Sequence, residues 1–383
     1  MVDASHVTIG LSVGSQPPVR RIDAFGRAAQ WLGFDVAWTV DHFLGWFPQE
    51  MWDRDFSWLA DPAGSPHAYF DYQTLLGHLA TKLRRIQVGV GVTESVRRHP
   101  VLLAQASMTL AHVAARAPIL GIGAGERENV EPYGLDFERP VARLEEALQI
   151  IRRCFDSRGP FEFEGEAFRF DDALMDLNAP DGRTPQIWVA AHGPRMLRLT
   201  GEYGDGWYPA LPMRPDEYAA KLGAVREAAA AVGRDPSAIV PAWSAYVVLA
   251  PDHARARRIL DHKAVRFTAL LAPHHLWEEL GVPHPLGEGF GGLVDFVPQR
   301  HPRAELEAAL AKVPVDALAD RILWGTPDDV LARLGGYVDA GLRHVVLQPV
   351  SALVSRRDAL YALRSIVGVL RRLKRRGIEH GNG

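Results

Sequence analysis

The stretch Leu120-Gly121-Ile122-Gly123-Ala124-Gly125-Glu126-Arg127-Glu128-Asn129 decides the fold. Its apolar start reads as the end of a short buried strand, and three glycines follow at every second position. Open α/β sheets hold dinucleotides on such a turn through G-x-G-x-x-G, with the pyrophosphate against the glycine backbone. Here the third glycine of that fingerprint falls on Glu126, whose carboxylate repels a pyrophosphate. The glycines therefore mark either a close backbone approach to a planar ligand or tight packing inside a barrel.

Working outward, short apolar runs recur, at residues 7–13, 36–40, 87–92, 119–122, 186–191, 206–209, 244–249 and 344–347. Stretches of helical period separate them, at 19–32, 75–83, 100–114, 141–155, 215–232 and 327–340. Alternating strands and helices imply a parallel sheet, and eight units favour closure into a (β/α)8 TIM barrel over an open doubly wound sheet. No repeat or low-complexity linker divides the chain, so residues 1–383 read as one α/β domain. Two segments break the rhythm. Residues 43–72 carry Trp46, Trp52, Phe56, Trp58, Tyr69 and Phe70, and residues 272–301 are rich in Gly, Pro and His. Both are expected as insertions at the C-terminal mouth of the barrel, where such enzymes build their sites.

Composition narrows the function. With 383 residues, 47% of them hydrophobic, the chain buries a core without staples. A formal net charge of -3 gives no field for nucleic acid or anionic lipid. The basic run at 371–376 reads as a solvated helix end complementing the helix dipole. Cys154 is the sole cysteine, so no disulfide forms within the chain, in keeping with a reducing compartment. Residues 1–6 lack the basic and apolar pattern of a signal peptide, and no run is long enough for a membrane span. The expectation is a cytoplasmic protein with no stable membrane insertion.

Candidate chemistry sits where strands end. Thr39-Val40-Asp41-His42-Phe43 places an ionisable pair at the mouth: a His exchanges protons near neutral pH, and a carboxylate beside it holds its tautomer. An Asp that caps the next segment next to an unrelated His has the same spacing. Ala190-Ala191-His192-Gly193-Pro194-Arg195-Met196 starts a helix with Gly-Pro, which is both ordinary helix architecture and an anion site made of free N–H groups. His274, His275 and His284 match no standard zinc spacing, and no Cys accompanies them, so no metal is expected. No G-x-S-x-G elbow is present for nucleophilic hydrolysis.

Taken together, four motifs resemble the luciferase-like superfamily, in its branch that uses the deazaflavin coenzyme F420. Asp41-His42 followed by Trp46 resembles D-H-x-x-x-W after the second strand. Gly91-Val92-Thr93 resembles the bulged end of the third strand, where the family has a non-proline cis peptide. Gly125-Glu126 followed by Asn129 resembles G-E-x-x-N, and Ala191-His192-Gly193-Pro194 resembles the loop that takes the coenzyme's phosphate. The resemblance implies hydride transfer with His42 and Glu126 handling the proton and Trp46 walling the pocket. It implies coenzyme contacts from Asp41, Gly91, Val92, Thr93, Ala124, Gly125, Asn129, His192, Gly193 and Pro194, and a homodimer. The aromatic segment 43–72 adds the expectation of an apolar or lipid-like carbonyl substrate, lined by those rings and reduced to its alcohol. A flavin (FMN) monooxygenase of the same fold and a non-catalytic deazaflavin-binding protein are the alternatives.

Overall fold

The computed structural model describes residues 7–380, so the reading made of residues 1–6 lies outside the described residues. Eight parallel strands form a ring: β1 (Thr8–Ser12), β2 (Val36–Thr39), β3 (Gln87–Glu94), β4 (Ile119–Gly123), β5 (Gln186–Val189), β6 (Gly206–Trp207), β7 (Val240–Leu249) and β8 (His344–Pro349). Each pairs with the next, and β8 closes onto β1 in the register Thr8–His344. One long helix follows each strand: α1 (Val19–Leu32), α2 (Tyr72–Lys82), α3 (Pro100–Val113), α4 (Pro140–Asp156), α5 (Pro194–Tyr203), α6 (Pro215–Ala231), α7 (Pro327–Asp339) and α8 (Arg356–His380). This is the expected (β/α)8 barrel.

Pairs of large and small residues fill its interior. Trp38 and Trp188 point inward, and glycines on neighbouring strands make room for them. A Cβ on Gly10 would lie 2.3 Å from the Trp38 indole nitrogen, and one on Gly206 would lie 2.6 Å from the Trp188 ring. Trp38 stacks on Tyr208 with ring centres 4.8 Å apart. Its N–H donates to His344 Nε2 at 3.2 Å, which leaves Nδ1 as the donor to Thr8 Oγ1 at 2.8 Å. Burial pushes the His344 imidazole down to about 3, so it stays neutral, with both ring nitrogens satisfied.

The strand ends differ from the sequence reading in places. β3 runs on to Glu94, and β7 starts at Val240. Among the strands, three have no counterpart in that reading. An antiparallel hairpin joins Phe161–Glu164 to Arg169–Ala173, and Leu323–Gly325 adds to the edge of β7 at residues 247–249. Leu323–Gly325 is too short to show a period, whereas the Phe-Glu alternation at 161–164 is a strand signal that went unread.

The insertions hold a second core. After β2, residues 43–71 contain one 3-10 turn (Gln49–Met51) and one short helix (Ala60–Ala63). After β7, the insertion exceeds the expected 272–301. It includes helices His253–Leu260, Lys263–Leu270, His274–Glu278, Arg303–Ala311 and Val315–Arg321. The two insertions pack together: Phe47 stacks on Trp52, and Phe56 meets Phe267 edge-on at 5.8 Å, with Phe296 beyond it. Trp58 donates its N–H to the Ala352 carbonyl at 2.8 Å, and Phe70 packs on the main core. The expectation that Trp52, Phe56, Trp58 and Phe70 line a substrate pocket is thereby corrected. Rings of this size gain more by closing a dry core between two loops than by staying open.

Other residues also settle. Cys154 is buried, which pushes its thiol up to about 11. His284 is enclosed, contacting the Ala272 carbonyl through Nε2 and accepting the Leu286 N–H at Nδ1. In the basic run, Arg372 pairs with Asp328 and Lys374 Nζ with Asp35 at 2.9 Å, so these side chains fasten α8 to the barrel. Among the described residues no helix is long and apolar enough to cross a membrane.

Candidate active site

Asp41 follows β2 directly and is nearly closed off from solvent. Its Oδ2 accepts from Thr93 Oγ1 (2.6 Å), Arg97 (3.0 Å) and Arg98 (2.5 Å). Arg97 also pairs with Glu94 through Nε at 2.5 Å, and its guanidinium covers the Phe43 ring. Asp41 and Thr93 therefore lie beneath the mouth as an anchor that ties the end of β2 to the end of β3. With Oδ2 saturated, Oδ1 is the carboxylate atom that Asp41 keeps for any further contact, the expected coenzyme among them.

This anchor sets His42 at the mouth, its side chain 11% exposed. Opposite, Gly125 takes a left-handed φ of 98° that turns the chain out of β4 and sends Glu126 toward His42. Arg127 then pairs with Glu131 and with Asp295 (3.2 Å), so the second insertion holds this loop in place. Asn129 is the hub. Its Oδ1 accepts the backbone N–H of Phe43 (2.7 Å) and of Leu44 (3.2 Å), which fixes the orientation of the amide. Nδ2 consequently faces His42 Nδ1 (3.0 Å), Glu126 Oε2 (3.3 Å) and Glu128 Oε1 (3.3 Å).

His42, Glu126 and Glu128 lie within 4.8 Å of one another, a spacing that a three-ligand metal site would share. The Asn129 amide nitrogen takes the position a cation would need, so the group works as a hydrogen-bond cluster. Glu128 Oε1 is 3.3 Å from His42 Nδ1 and Glu126 Oε2 is 3.6 Å from it. Withdrawal from water pushes Glu126 up to about 7, against the opposing pull of His42, and pushes Glu128 up to about 8. Carboxyls poised this close to neutrality can hold or release a proton at working pH.

Aromatic rings wall the cluster. Trp46 stands edge-on to His42 at 6.2 Å, Tyr69 lies 5.5 Å from His42, and Tyr246 of β7 meets Trp46 at 6.3 Å. Behind Tyr246 an apolar cavity of about 50 Å³ is lined by Ala269, Leu276, Trp277, Leu318 and Ile322 among others. Across the mouth, the Gly91–Val92 peptide is cis, and the β3–β4 register shifts there. A Cβ on Gly121 would lie 2.1 Å from the Val90 carbonyl oxygen and 3.0 Å from a Val92 methyl, and one on Gly123 3.3 Å from the other Val92 methyl, so those two glycines serve packing. Ala124 follows them, half-buried, at the start of the turn. Gly193 and Pro194 open α5, and a Cβ on Gly193 would meet nothing within 4 Å. Beside them His192 Nδ1 is buried without a partner, and burial holds that imidazole down at about 3.

Strand ends and loops thus bring His42, Trp46, Glu126 and Asn129 together, with the 91–93 bulge and the 192–194 turn elsewhere on the barrel. The sequence profile of luciferase-like monooxygenases matches residues 3–344. The chain belongs to the luciferase-like monooxygenase family. Within it, the chain is 39% identical over 363 residues to the phthiodiolone/phenolphthiodiolone dimycocerosates ketoreductase of Mycobacterium tuberculosis, covering 94% of this chain and 95% of that protein. Solved relatives share the fold. An F420-dependent secondary alcohol dehydrogenase, held with an F420-acetone adduct, superposes with a TM-score of 0.70 at 21% identity, covering 90% of this chain and 94% of its own. The coenzyme F420-dependent tetrahydromethanopterin reductase of Methanopyrus kandleri does so with a TM-score of 0.70 at 20% identity, covering 94% and 97%. The chain is an oxidoreductase of this family.

Sequence reasoning passed over Glu128 and Tyr246, whereas Tyr69, named among the rings of the aromatic insertion, does face His42. Glu128 stood in the quoted stretch, two residues after Glu126, and its burial was the missing signal. Tyr246 lies far from the motifs in sequence, so only the fold brings it to Trp46.

Proposed function

We propose that this luciferase-like oxidoreductase uses coenzyme F420 to reduce the carbonyl of an apolar substrate to an alcohol. The observation that carries the reading is the cluster of His42 and Glu126, poised to hold a proton against an aromatic wall at the barrel mouth. A reduced deazaflavin supplies a hydride. The chain must then give a proton to the oxygen that becomes an alkoxide, and His42 is the donor we assign, with Glu126 assisting. Trp46, Tyr69 and Tyr246 exclude water from that oxygen and present an apolar face to the substrate, and the cavity behind Tyr246 extends that face. The ketoreductase relative and the alcohol dehydrogenase neighbour act on substrates of this chemistry by name.

The residues present fit the coenzyme. At Gly193 the start of α5 is open, and the orphaned His192 Nδ1 lies beside it, a combination that suits a phosphate. Gly193→Glu is expected to weaken the phosphorylated coenzyme by about tenfold or more, ~1.4 kcal/mol, through repulsion at the helix start. The bare deazaflavin headgroup should bind nearly as before. Titration of both ligands checks this, and an equal loss for both would mean that the phosphate lies elsewhere.

The family's own description favours a second reading, an FMN-dependent monooxygenase. Binding titrations with F420 and FMN separate the two, followed by reoxidation of reduced F420 with a panel of ketones. F420 is expected to bind at least about tenfold tighter, a gap of ~1.4 kcal/mol. Equal or tighter FMN binding would overturn the coenzyme assignment. Tight F420 binding with no carbonyl turnover would leave a coenzyme-binding protein.

A further inference from the structure

Glu128 is the one member of the mouth cluster to which no role has yet been given. It is wholly enclosed, yet it approaches His42 Nδ1 more closely than Glu126 does, 3.3 against 3.6 Å. Its Oε2 is buried with no hydrogen-bond partner. Among the described residues His42 is the one basic side chain within 4 Å of either carboxylate. Arg97, which also acts on Glu128, pairs with Glu94 through Nε and with Asp41 through Nη2, and its buried Nη1 has no hydrogen-bond partner.

Counting hydrogens shows what this arrangement requires. The Asn129 amide faces three acceptors, His42 Nδ1, Glu126 Oε2 and Glu128 Oε1, and has two N–H groups to offer them. His42 Nδ1 also faces both carboxylate oxygens directly. An Nδ1–H tautomer of neutral His42 supplies the third donor but leaves the far ring nitrogen with no proton for a substrate oxygen. With the proton on that far nitrogen, as carbonyl reduction needs, Nδ1 is bare against two carboxylates and the cluster is one donor short away from water, so a further proton must reside in it. The position from which solvent removes it least readily is Glu128, because an enclosed carboxylate with an orphaned oxygen costs far more than an enclosed carboxylic acid.

We propose that Glu128 is a buried proton store that recharges His42 during carbonyl reduction. The inference rests on the proposed function for its substrate and hydride donor. As hydride reaches the carbonyl carbon, a C–H bond forms and the π pair moves onto oxygen. The N–H at the far side of the His42 ring breaks and its proton goes to that oxygen. Glu128 then loses its O–H proton to His42 Nδ1. The net change is one carboxylic acid to carboxylate, one ketone to alcohol, and a two-electron oxidation of the reduced deazaflavin. Glu128 touches neither substrate nor coenzyme in this scheme, so it is a positioning residue that acts through His42. The groups that set its charge are His42 and Tyr69 after β2, Arg97 after β3, and Glu126, Asn129 and Tyr133 in its own loop, with Tyr246 of β7 acting on Glu126.

The test is Glu128→Gln, which keeps the shape and the acceptor for Asn129 but carries no exchangeable acid proton. The high-pH limb of kcat, expected near pH 8 in the parent, should move about one unit lower, with the KM of the carbonyl unchanged. A variant with the parent's pH profile would overturn the proposal. Infrared spectra of the coenzyme-free protein labelled with isotopic glutamate give a reading independent of turnover. The parent should keep a protonated-carboxyl band up to about pH 8, and the variant should lose the part of it that outlasts Glu126, which titrates at about 7; a parent with no such band above pH 7 would overturn it. Urea unfolding adds the linkage. A carboxyl raised from 4.5 to about 8 stabilises the fold fully below 4.5, and that stabilisation is lost as pH rises toward 8. The variant should match the parent at low pH and become progressively more stable than it across that window. Parallel curves would overturn the store. Should no carbonyl react at all, the proposed function fails while the infrared and unfolding arms still decide the role of Glu128.

Discussion

His42→Ala is expected to lower carbonyl turnover about 10²-fold or more, and Glu126→Gln to do likewise, with coenzyme affinity nearly intact. The reason is local. The imidazole is held by the Asn129 hub at 3.0 Å and walled by Trp46, so its proton is aimed into the mouth. Removing the ring removes the donor for the developing alkoxide. Glu126→Gln keeps an acceptor for Asn129 but removes a carboxyl that titrates at about 7. Both changes remove an interaction made in the transition state, so kcat and kcat/KM should fall together while KM stays put. Stopped-flow reoxidation of the reduced coenzyme, with its binding titration alongside, measures the two effects separately. A variant that turns over at the parent's rate would remove that residue from the proton step.

The sequence made much of this visible, and its failures have physical causes. Barrel strands with both faces buried read as apolar runs, so all eight were placed, the two-residue β6 among them. Leu323–Gly325 was missed because three residues carry no period, and they pair on an edge of β7 that only the barrel exposes. His42, Trp46, Glu126 and Asn129 were named from motifs, and the fold gathers them. The aromatic insertion misled, since ring content cannot tell a pocket wall from a core. Trp46 and Tyr69 face His42, whereas Phe56 and Trp52 close a core with the other insertion, contributed some 200 residues later by Phe267 and its neighbours. The glycine run was similarly ambiguous, and β3 decides it: the space over Gly121 belongs to the Val90 carbonyl and a Val92 methyl, and that over Gly123 to the other Val92 methyl.

Asp41 was expected to contact the coenzyme, and its surroundings give it a structural task with a large measurable consequence. The carboxylate is almost fully enclosed, as is Arg97, and Arg98 is largely so. Arg98 goes on to Asp71, the N-cap of α2, and Arg97 to Glu94 at the end of β3. The network therefore joins the ends of β2 and β3 to the start of α2, on the side of the mouth from which His42 projects. Breaking a buried pair by removing one partner leaves the other charge stranded, and costs about 3–5 kcal/mol. Asp41→Ala should accordingly lower the unfolding free energy by about that amount, measured by urea denaturation, because two guanidinium groups lose their shared acceptor. Arg98→Met should cost less, since that side chain is the more exposed and Asp41 keeps Arg97 and Thr93. A double mutant losing less than the sum of the two would place both residues in one network. If Asp41→Ala instead unfolds within about 1 kcal/mol of the parent and loses coenzyme affinity, Asp41 is a ligand of the coenzyme after all.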